Sequence, residues 1–277
     1  MSGILYLIAT PIGNLGDMTK RAAETLAGAD FIAAEDTRVT VKLLNHLGIK
    51  KPIVSYYEHN RKESGERIRD RILSGETCAL VTDAGMPAIS DPGEDLVRLC
   101  ADEGILIYAI PGACAAVTAL ALSGLTTGRF TFEGFLSTAR KSRFEHLEAL
   151  KTENRTMIFY EAPHKLQATL KDMLDAFGDR RISISREMTK IHEETLRLTL
   201  SAAVRHFEET PPRGEFVLVI EGAAEPNVPG PSLEDALKIV SNCRADGLSL
   251  KDAAKKCSSL TGIPKNVLYE AALKQRF

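Results

Sequence analysis

Glycine, proline and aspartate alternate through Thr82-Asp83-Ala84-Gly85-Met86-Pro87-Ala88-Ile89-Ser90-Asp91-Pro92-Gly93, directly after the apolar run Cys78-Ala79-Leu80-Val81. These residue types suit a loop that holds a ligand against main chain, because glycine and alanine permit close approach. A loop at the carboxyl end of a strand is where open α/β sheets bind ligands. Asp91 before Pro92 reads as a helix N-cap followed by a proline in the first turn. Two further loops share this character. Thr10-Pro11-Ile12-Gly13-Asn14-Leu15-Gly16-Asp17 follows the first apolar run, and Pro111-Gly112-Ala113-Cys114-Ala115-Ala116 enters a helix through residues with little side-chain bulk. Each alone also matches an ordinary strand-to-helix connection; together they would line one crevice with backbone groups. Neither G-x-G-x-x-G nor a Walker A loop occurs in the chain, so the usual nucleotide-site signatures are missing.

Positioning such loops takes strands followed by helices, and the chain is patterned that way. Apolar runs at Ile4 to Ala9, Phe31 to Ala34, Ile53 to Tyr56, Ala79 to Thr82 and Leu106 to Ile110 each precede an amphipathic or charged helical pattern. This alternation predicts a mainly parallel sheet covered on both faces. The small-residue stretch Ser123 to Gly128 marks a boundary. Beyond it, strands are predicted at Phe130 to Phe135, Met157 to Tyr160, Ile182 to Ser185, Thr195 to Thr199 and Phe216 to Ile220. No helical pattern separates Ser185 from Thr195, which predicts a mixed second sheet. Gly222 to Pro231 carries three prolines and two glycines and reads as a linker. Ser232 with Asp235, and Ser249 with Asp252, resemble capping patterns, and Pro264 starts a third predicted helix. The expected organisation is an α/β domain over 1–123, a second over 124–222, a linker over 223–231, and a helix-turn-helix-like module over 232–277. A plain helical cap on the main body is the competing reading of that module.

Composition sets the frame. The chain of 277 residues is 44% hydrophobic and 26% charged, as ordinary globular proteins are. No apolar run is long enough to span a bilayer and the N-terminus enters a strand, so the expectation is a cytoplasmic protein without membrane attachment. The five cysteines are widely spaced with no C-x-x-C pair, and neither a disulfide framework nor a metal site is expected. A net charge of −2 gives no overall attraction for a polyanion, so a nucleic acid would need a local basic surface. From Pro231 onward, eight Lys or Arg stand against five Asp or Glu.

The ordered set Thr10-Pro11-Ile12-Gly13-Asn14, Ala34-Glu35-Asp36-Thr37-Arg38, Asp83-Ala84-Gly85-Met86-Pro87, Ser90-Asp91-Pro92-Gly93, Ile110-Pro111-Gly112-Ala113, Tyr160-Glu161-Ala162-Pro163-His164 and Arg186-Glu187-Met188-Thr189-Lys190 resembles the tetrapyrrole methylase superfamily. The Glu35 and Tyr160 blocks are similar to its branch of small-subunit ribosomal RNA methyltransferases. Met86 stands where that branch more often has threonine, which a loop binding through its backbone tolerates. The resemblance implies two α/β domains of tetrapyrrole-methylase type, with a mainly parallel N-terminal sheet, a mixed C-terminal sheet and a small helical module.

It further implies S-adenosylmethionine as methyl donor, S-adenosylhomocysteine as product, and methylation of a cytidine 2′-hydroxyl in the decoding region of 16S rRNA. A homodimer is the superfamily expectation. Matched motif to motif, Pro11, Asp83, Ala84, Gly85, Ala88, Cys114 and Ala115 would touch the donor from the first domain, and Tyr160, Glu161 and Lys190 from the second.

A ribose hydroxyl is a poor nucleophile near neutral pH, so a proton acceptor should help it. Glu35, Asp36, Glu161, His164, Glu187 and Lys190 are the candidates, with Glu35 and Asp36 preferred and His164 also retained. An ion pair with Arg38 or a helix cap is the competing reading of the two acids. His164 beside Pro163 equally suits a helix start. Arg140, Lys141 and Arg143 form a local basic cluster suited to phosphates, though such clusters are often solvated helix faces. Two other functions stay open: a tetrapyrrole C-methyltransferase, and a noncatalytic RNA-binding or ribosome-assembly factor led by the basic tail.

Overall fold

Alternate residues along the first strands bury themselves on opposite sides. Leu5, Leu7, Phe31, Ala33 and Leu80 join one core with Ile68, Ile72 and Leu96, whereas Ile8, Ile32, Ala34 and Val81 join another with Ala22, Leu26 and Leu44. Both faces of the sheet are therefore apolar, as a parallel sheet covered by helices requires. The computed structural model that shows this describes residues 2–224 and 232–274.

The first sheet comprises β1 (Ile4–Ile8), β2 (Phe31–Ala34), β3 (Ile53–Ser55), β4 (Cys78–Val81) and β5 (Leu106–Ile110), all parallel, in the order β3-β2-β4-β1-β5. The intervening helices are α1 (Lys20–Gly28), α2 (Thr37–His46), α3 (Arg61–Leu73) and α4 (Glu94–Asp102). Chain connections leave β1 and β4 toward opposite ends of the strand order. The loops after these neighbouring strands therefore flank a switch-point crevice.

The second sheet orders β6 (Phe130–Phe135), β7 (Thr156–Glu161), β10 (Phe216–Ile220), β8 (Arg181–Arg186) and β9 (Glu194–Thr199) as β6-β7-β10-β8-β9. Only β6 and β7 pair in parallel; the other ladders are antiparallel, giving the mixed sheet expected from the missing helix between β8 and β9. Helices α6 (Arg140–Ala149), α7 (Pro163–Phe177) and α8 (Leu200–Glu209) cover one face. The other face receives α5 (Ala115–Ser123), which follows β5: Ala116, Ala119 and Leu120 pack on Ile158, Val217 and Val219. That packing joins both sheets in one compact unit, Met1–Ala223.

The second unit, Ala224–Phe277, holds α9 (Leu233–Ala245), α10 (Leu250–Thr261) and α11 (Lys265–Lys274) around Val240, Ala253, Cys257 and Leu268. Ser232 and Ser249 accept the backbone N–H of Asp235 and Asp252, as the capping patterns predicted. Of the predicted linker, residues 225–231 lie outside the described residues. Helix α4 departs from expectation. Its cap is Gly93, with φ of 147°, so Asp91 and Pro92 precede the helix instead of starting it.

Candidate functional site

Thr10 and Gly85 exchange two backbone hydrogen bonds, at 2.9 and 3.0 Å, which fix the loop after β1 against the loop after β4. Gly85 has φ of 85°, where a side chain is costly. Further along, Ala88 and Ser90 also lie in the left-handed region, with φ of 67° and 63°. Non-glycine residues persist there only where their surroundings impose it, and such strain concentrates at ligand-holding loops. A Cβ on Gly134 would stand 3.2 Å from the Ser90 hydroxyl oxygen. Gly134 belongs to the bulge in β6, so this loop reaches the second sheet.

The third loop ends where α5 begins. Cys114 caps that helix without a side-chain bond, and the Ala116 N–H donates to the Tyr160 hydroxyl at 3.1 Å. First-turn N–H groups have no intrahelical partner, so this end of α5 is a donor site. Phe132 and Phe135 meet the Tyr160 ring edge-on, and burial pushes its phenol up to about 12.

These parts enclose a cleft of about 510 Å³. Ala84, Gly85, Met86, Cys114 and Ala115 line it from the first sheet, and Tyr160, Glu161, His164, Lys190 and Phe216 from the second. A neighbouring hollow of about 380 Å³ contains Pro11, Asp83 and Ala84, and Lys190 borders both. The predicted donor-contacting residues thus gather around two adjoining hollows, with one exception. Ala88 packs against the core beside Leu80 and Leu96 and lines neither hollow. Its left-handed backbone shapes the loop instead.

Glu161 is buried, accepting from the Thr169 hydroxyl at 2.6 Å and from the Ala162 N–H at 2.8 Å. Burial works against the charge of Lys190, but its hydrogen bonds to Glu187 and Glu215, at 3.0 and 3.1 Å, outweigh that and hold its pKa above the ordinary value. It is therefore a cation, not a base. Its aliphatic chain crosses Gly13, where a Cβ would come within 2.6 Å of Lys190 Cγ. Burial also raises the Asp83 carboxyl, although it accepts the Asp36 N–H at 3.2 Å.

The preferred acids, Glu35 and Asp36, line neither hollow. Asp36 is the N-cap of α2 and bonds both the backbone and the guanidinium of Arg38, which lowers its pKa to about 2. A carboxylate so held is a weak base. Glu35 accepts the Thr82 hydroxyl at 2.7 Å from behind the loop. His164 does face the cleft, from the first turn of α7.

The basic cluster needs a correction. Arg143 is nearly buried and pairs with buried Asp172 at 2.7 Å, so it serves the packing of α6 on α7. Arg140 and Lys141 remain exposed.

Sequence reading missed Asp91 as a cleft residue. It lines the cavity, and burial, with Glu35 adding repulsion, raises its carboxyl to about 6. The Asp-Pro pair resembled a cap too closely for its true position to be legible. Glu215, Phe216 and Val217 were also missed as lining residues, because only the pairing of β10 beside β7 and β8 brings them there.

Among the described residues, no helix is long and apolar enough to cross a membrane, and no His, Cys, Asp and Glu group is arranged to hold a metal ion.

A family model for tetrapyrrole (corrin/porphyrin) methylases matches residues 4–204, and one for the RsmI C-terminal HTH domain matches residues 231–276. Among solved structures, a cobalt precorrin-4 methyltransferase superposes with a TM-score of 0.59 at 19% identity, covering 79% of this chain and 94% of its own. A uroporphyrin-III C-methyltransferase from Thermus thermophilus, complexed with S-adenosylhomocysteine, gives 0.55 at 16% identity, covering 79% and 97%. At such identities the likeness concerns the fold. With the family match, it defines a methylase of the tetrapyrrole class.

Curated relatives narrow this. The ribosomal RNA small subunit methyltransferase I of Synechocystis is 48% identical over 273 residues, spanning 98% of both chains. That of Halalkalibacterium halodurans is 50% identical over 270 residues, spanning 96% of this chain and 93% of its own. The chain belongs to the ribosomal RNA small subunit methyltransferase I family.

Proposed function

We propose that this protein transfers the methyl group of S-adenosylmethionine to a ribose 2′-hydroxyl in the decoding region of small-subunit rRNA. The reading is carried by one observation: identity of 41–50% extends over nearly the full chain to relatives named as rRNA methyltransferases.

The cleft suits the donor. Its walls combine small residues at Ala84, Gly85 and Ala115 with the apolar faces of Met86, Phe135 and Tyr160. Glu187 and Glu215 add negative charge, which favours a sulfonium cation, while Lys190 and the start of α5 suit the donor's carboxylate. When bound, S-adenosylmethionine supplies a methyl already activated for in-line displacement, so alignment is the principal requirement. The residues of the chain supply that alignment. Tyr160 ties β7 to α5, the Thr10 to Gly85 pair fixes two loops, and Lys190 spans Gly13 and both hollows. Pro11, Asp83, Cys114 and Glu161 complete the donor-side surface.

Arg140 and Lys141, with the basic C-terminal unit, would take rRNA phosphates. Only single-stranded or splayed nucleotides present a ribose hydroxyl to such a cleft. Acting on ribosomal RNA, the protein would work in the cytoplasm. A homodimer fits the open edge of β5, which carries exposed Leu106 and Tyr108 and no charge along the strand. Tyr108→Asp is expected to halve the mass measured by light scattering; an unchanged mass rejects that edge.

Labelled methyl transfer to small subunits lacking the mark, followed by mass mapping of ribose methylation, tests the function. Incorporation at one decoding-region cytidine is expected. No incorporation with donor bound, or turnover of a porphyrinogen instead, defeats it.

A further inference from the structure

We propose that Asp91 takes the proton of the acceptor hydroxyl, with Thr82 and Glu35 as the positioning pair behind it. This rests on the methyltransferase reading above and names the residue that the reading leaves open.

Place comes first. Asp91 lines the same cleft as Tyr160 and His164, and it is not spent on capping α4, whose N-cap is Gly93. The backbone around it is held in unfavourable conformations at Ala88 and Ser90, and Ser90 abuts Gly134 of the second sheet. The loop therefore presents this carboxyl from a constrained position between both sheets.

The Thr82 hydroxyl donates its single proton to Glu35 at 2.7 Å and stands near enough to the Asp91 carboxyl to pull its pKa down. Donating to Glu35, it can accept from a protonated Asp91; turned toward Asp91, it stabilises the carboxylate. Thr82 itself is fixed, because its carbonyl accepts the Thr10 hydroxyl at 3.0 Å. The trio can thus hold Asp91 in either protonation state without moving the chain.

The other acids are committed elsewhere. Asp36 is tied to Arg38, Glu161 to Thr169 and Glu187 to Lys190. The ionisable groups that act on or feel Asp91 are Glu35 after β2, Asp83 after β4 and Tyr160 at the end of β7, while Glu161, His164, Glu187, Lys190 and Glu215 line the same cleft. Lys190, the cation of the cleft, is bonded to Glu187 and Glu215. Burial with acidic neighbours lifts Asp91 to about 6, where a base is mostly ionised at neutral pH yet still attracts a proton. As the hydroxyl oxygen takes the methyl carbon, its proton passes to an Asp91 carboxylate oxygen and the carbon–sulfur bonding pair stays on sulfur.

Single-turnover transfer to unmethylated small subunits, with donor affinity measured in parallel by calorimetry, tests the assignment. Asp91→Asn is expected to slow transfer by roughly 10²- to 10⁴-fold while donor affinity holds. The wild-type rate should climb with pH through about 6, and the Asn variant should lose this limb. Asp91→Glu should recover part of the rate. An unchanged rate and pH profile in Asp91→Asn overturns the proposal, as does a loss confined to donor affinity. Infrared titration of the Asp91 carboxyl in the donor-free protein is independent of turnover. A raised midpoint that moves in Thr82→Val supports the trio, and an ordinary midpoint rejects it. Failure of the wild type to methylate rRNA would defeat the functional reading, while the titration would still decide for or against Asp91.

Discussion

Arg143 and Lys141 stand two positions apart in one basic cluster, yet they should respond oppositely to substitution. Arg143→Met strands the buried carboxylate of Asp172, which costs about 3–5 kcal/mol of stability by removal of one partner of a buried pair. Lys141→Ala removes an exposed ammonium 3.9 Å from Glu145 and should change stability by under about 0.5 kcal/mol. Denaturant unfolding checks both, and the Lys141 variant should show weaker, less salt-dependent rRNA binding. Sequence could not separate the two, because side chains of one type and spacing differ only in what α7 brings beneath them. Asp91 gives a residue-scale test of another kind. Its folded pKa lies above the ordinary 3.8, so the native state binds the proton more tightly and stability falls as pH rises from about 3.8 through about 6. Asp91→Asn is expected to raise the melting temperature above that window and leave it unchanged below. The opposite trend would show that the carboxylate is stabilised in the fold.

The elements were the most legible level, for a physical reason: buried parallel strands are short continuous apolar runs, and those runs are hard to mistake. The ten strands among the described residues coincide with predicted runs to within about two residues, and the mixed pairing of the second sheet followed from the missing helix between β8 and β9. The cap of α4 was read less well than its span: the helix begins at Glu94, but Gly93 and not Asp91 is its N-cap, because the strained loop and not the Asp-Pro pair sets its entry. The position of α5 was also illegible, since an alanine-rich helix carries no polar face to show which sheet it covers. Two glycines separate loop geometry from packing. At Gly85 a Cβ would meet Ile12 at 3.5 Å, ordinary contact, so Gly85→Ala should cost about 1–2 kcal/mol from its left-handed backbone alone and weaken donor binding. Gly28, at the end of α1 with nothing within 4 Å of a Cβ, should gain about 0.4–1 kcal/mol as alanine. Thermal unfolding of both variants measures the contrast, and equal losses would contradict it.

At the scale of the molecule, division of labour follows from separate cores. The unit Met1–Ala223 contains both sheets and every lining residue of the cleft, whereas the unit Ala224–Phe277 has its own small core around Val240, Cys257 and Leu268. The sequence showed the tail's positive balance, but charge alone did not distinguish an RNA-binding module from a packing cap. If donor chemistry belongs wholly to the first unit, a protein ending at Ala224 should fold, retain the donor affinity of the full chain, and lose most of its affinity for small subunits. The electrostatic share of that loss is measurable, because phosphate contacts release counterions and make binding fall steeply with salt. Binding should therefore differ most between the two forms at low salt and converge as salt rises. Equal rRNA affinity in both forms would assign the tail a structural role, and loss of donor binding would mean that the cleft depends on residues beyond the first unit.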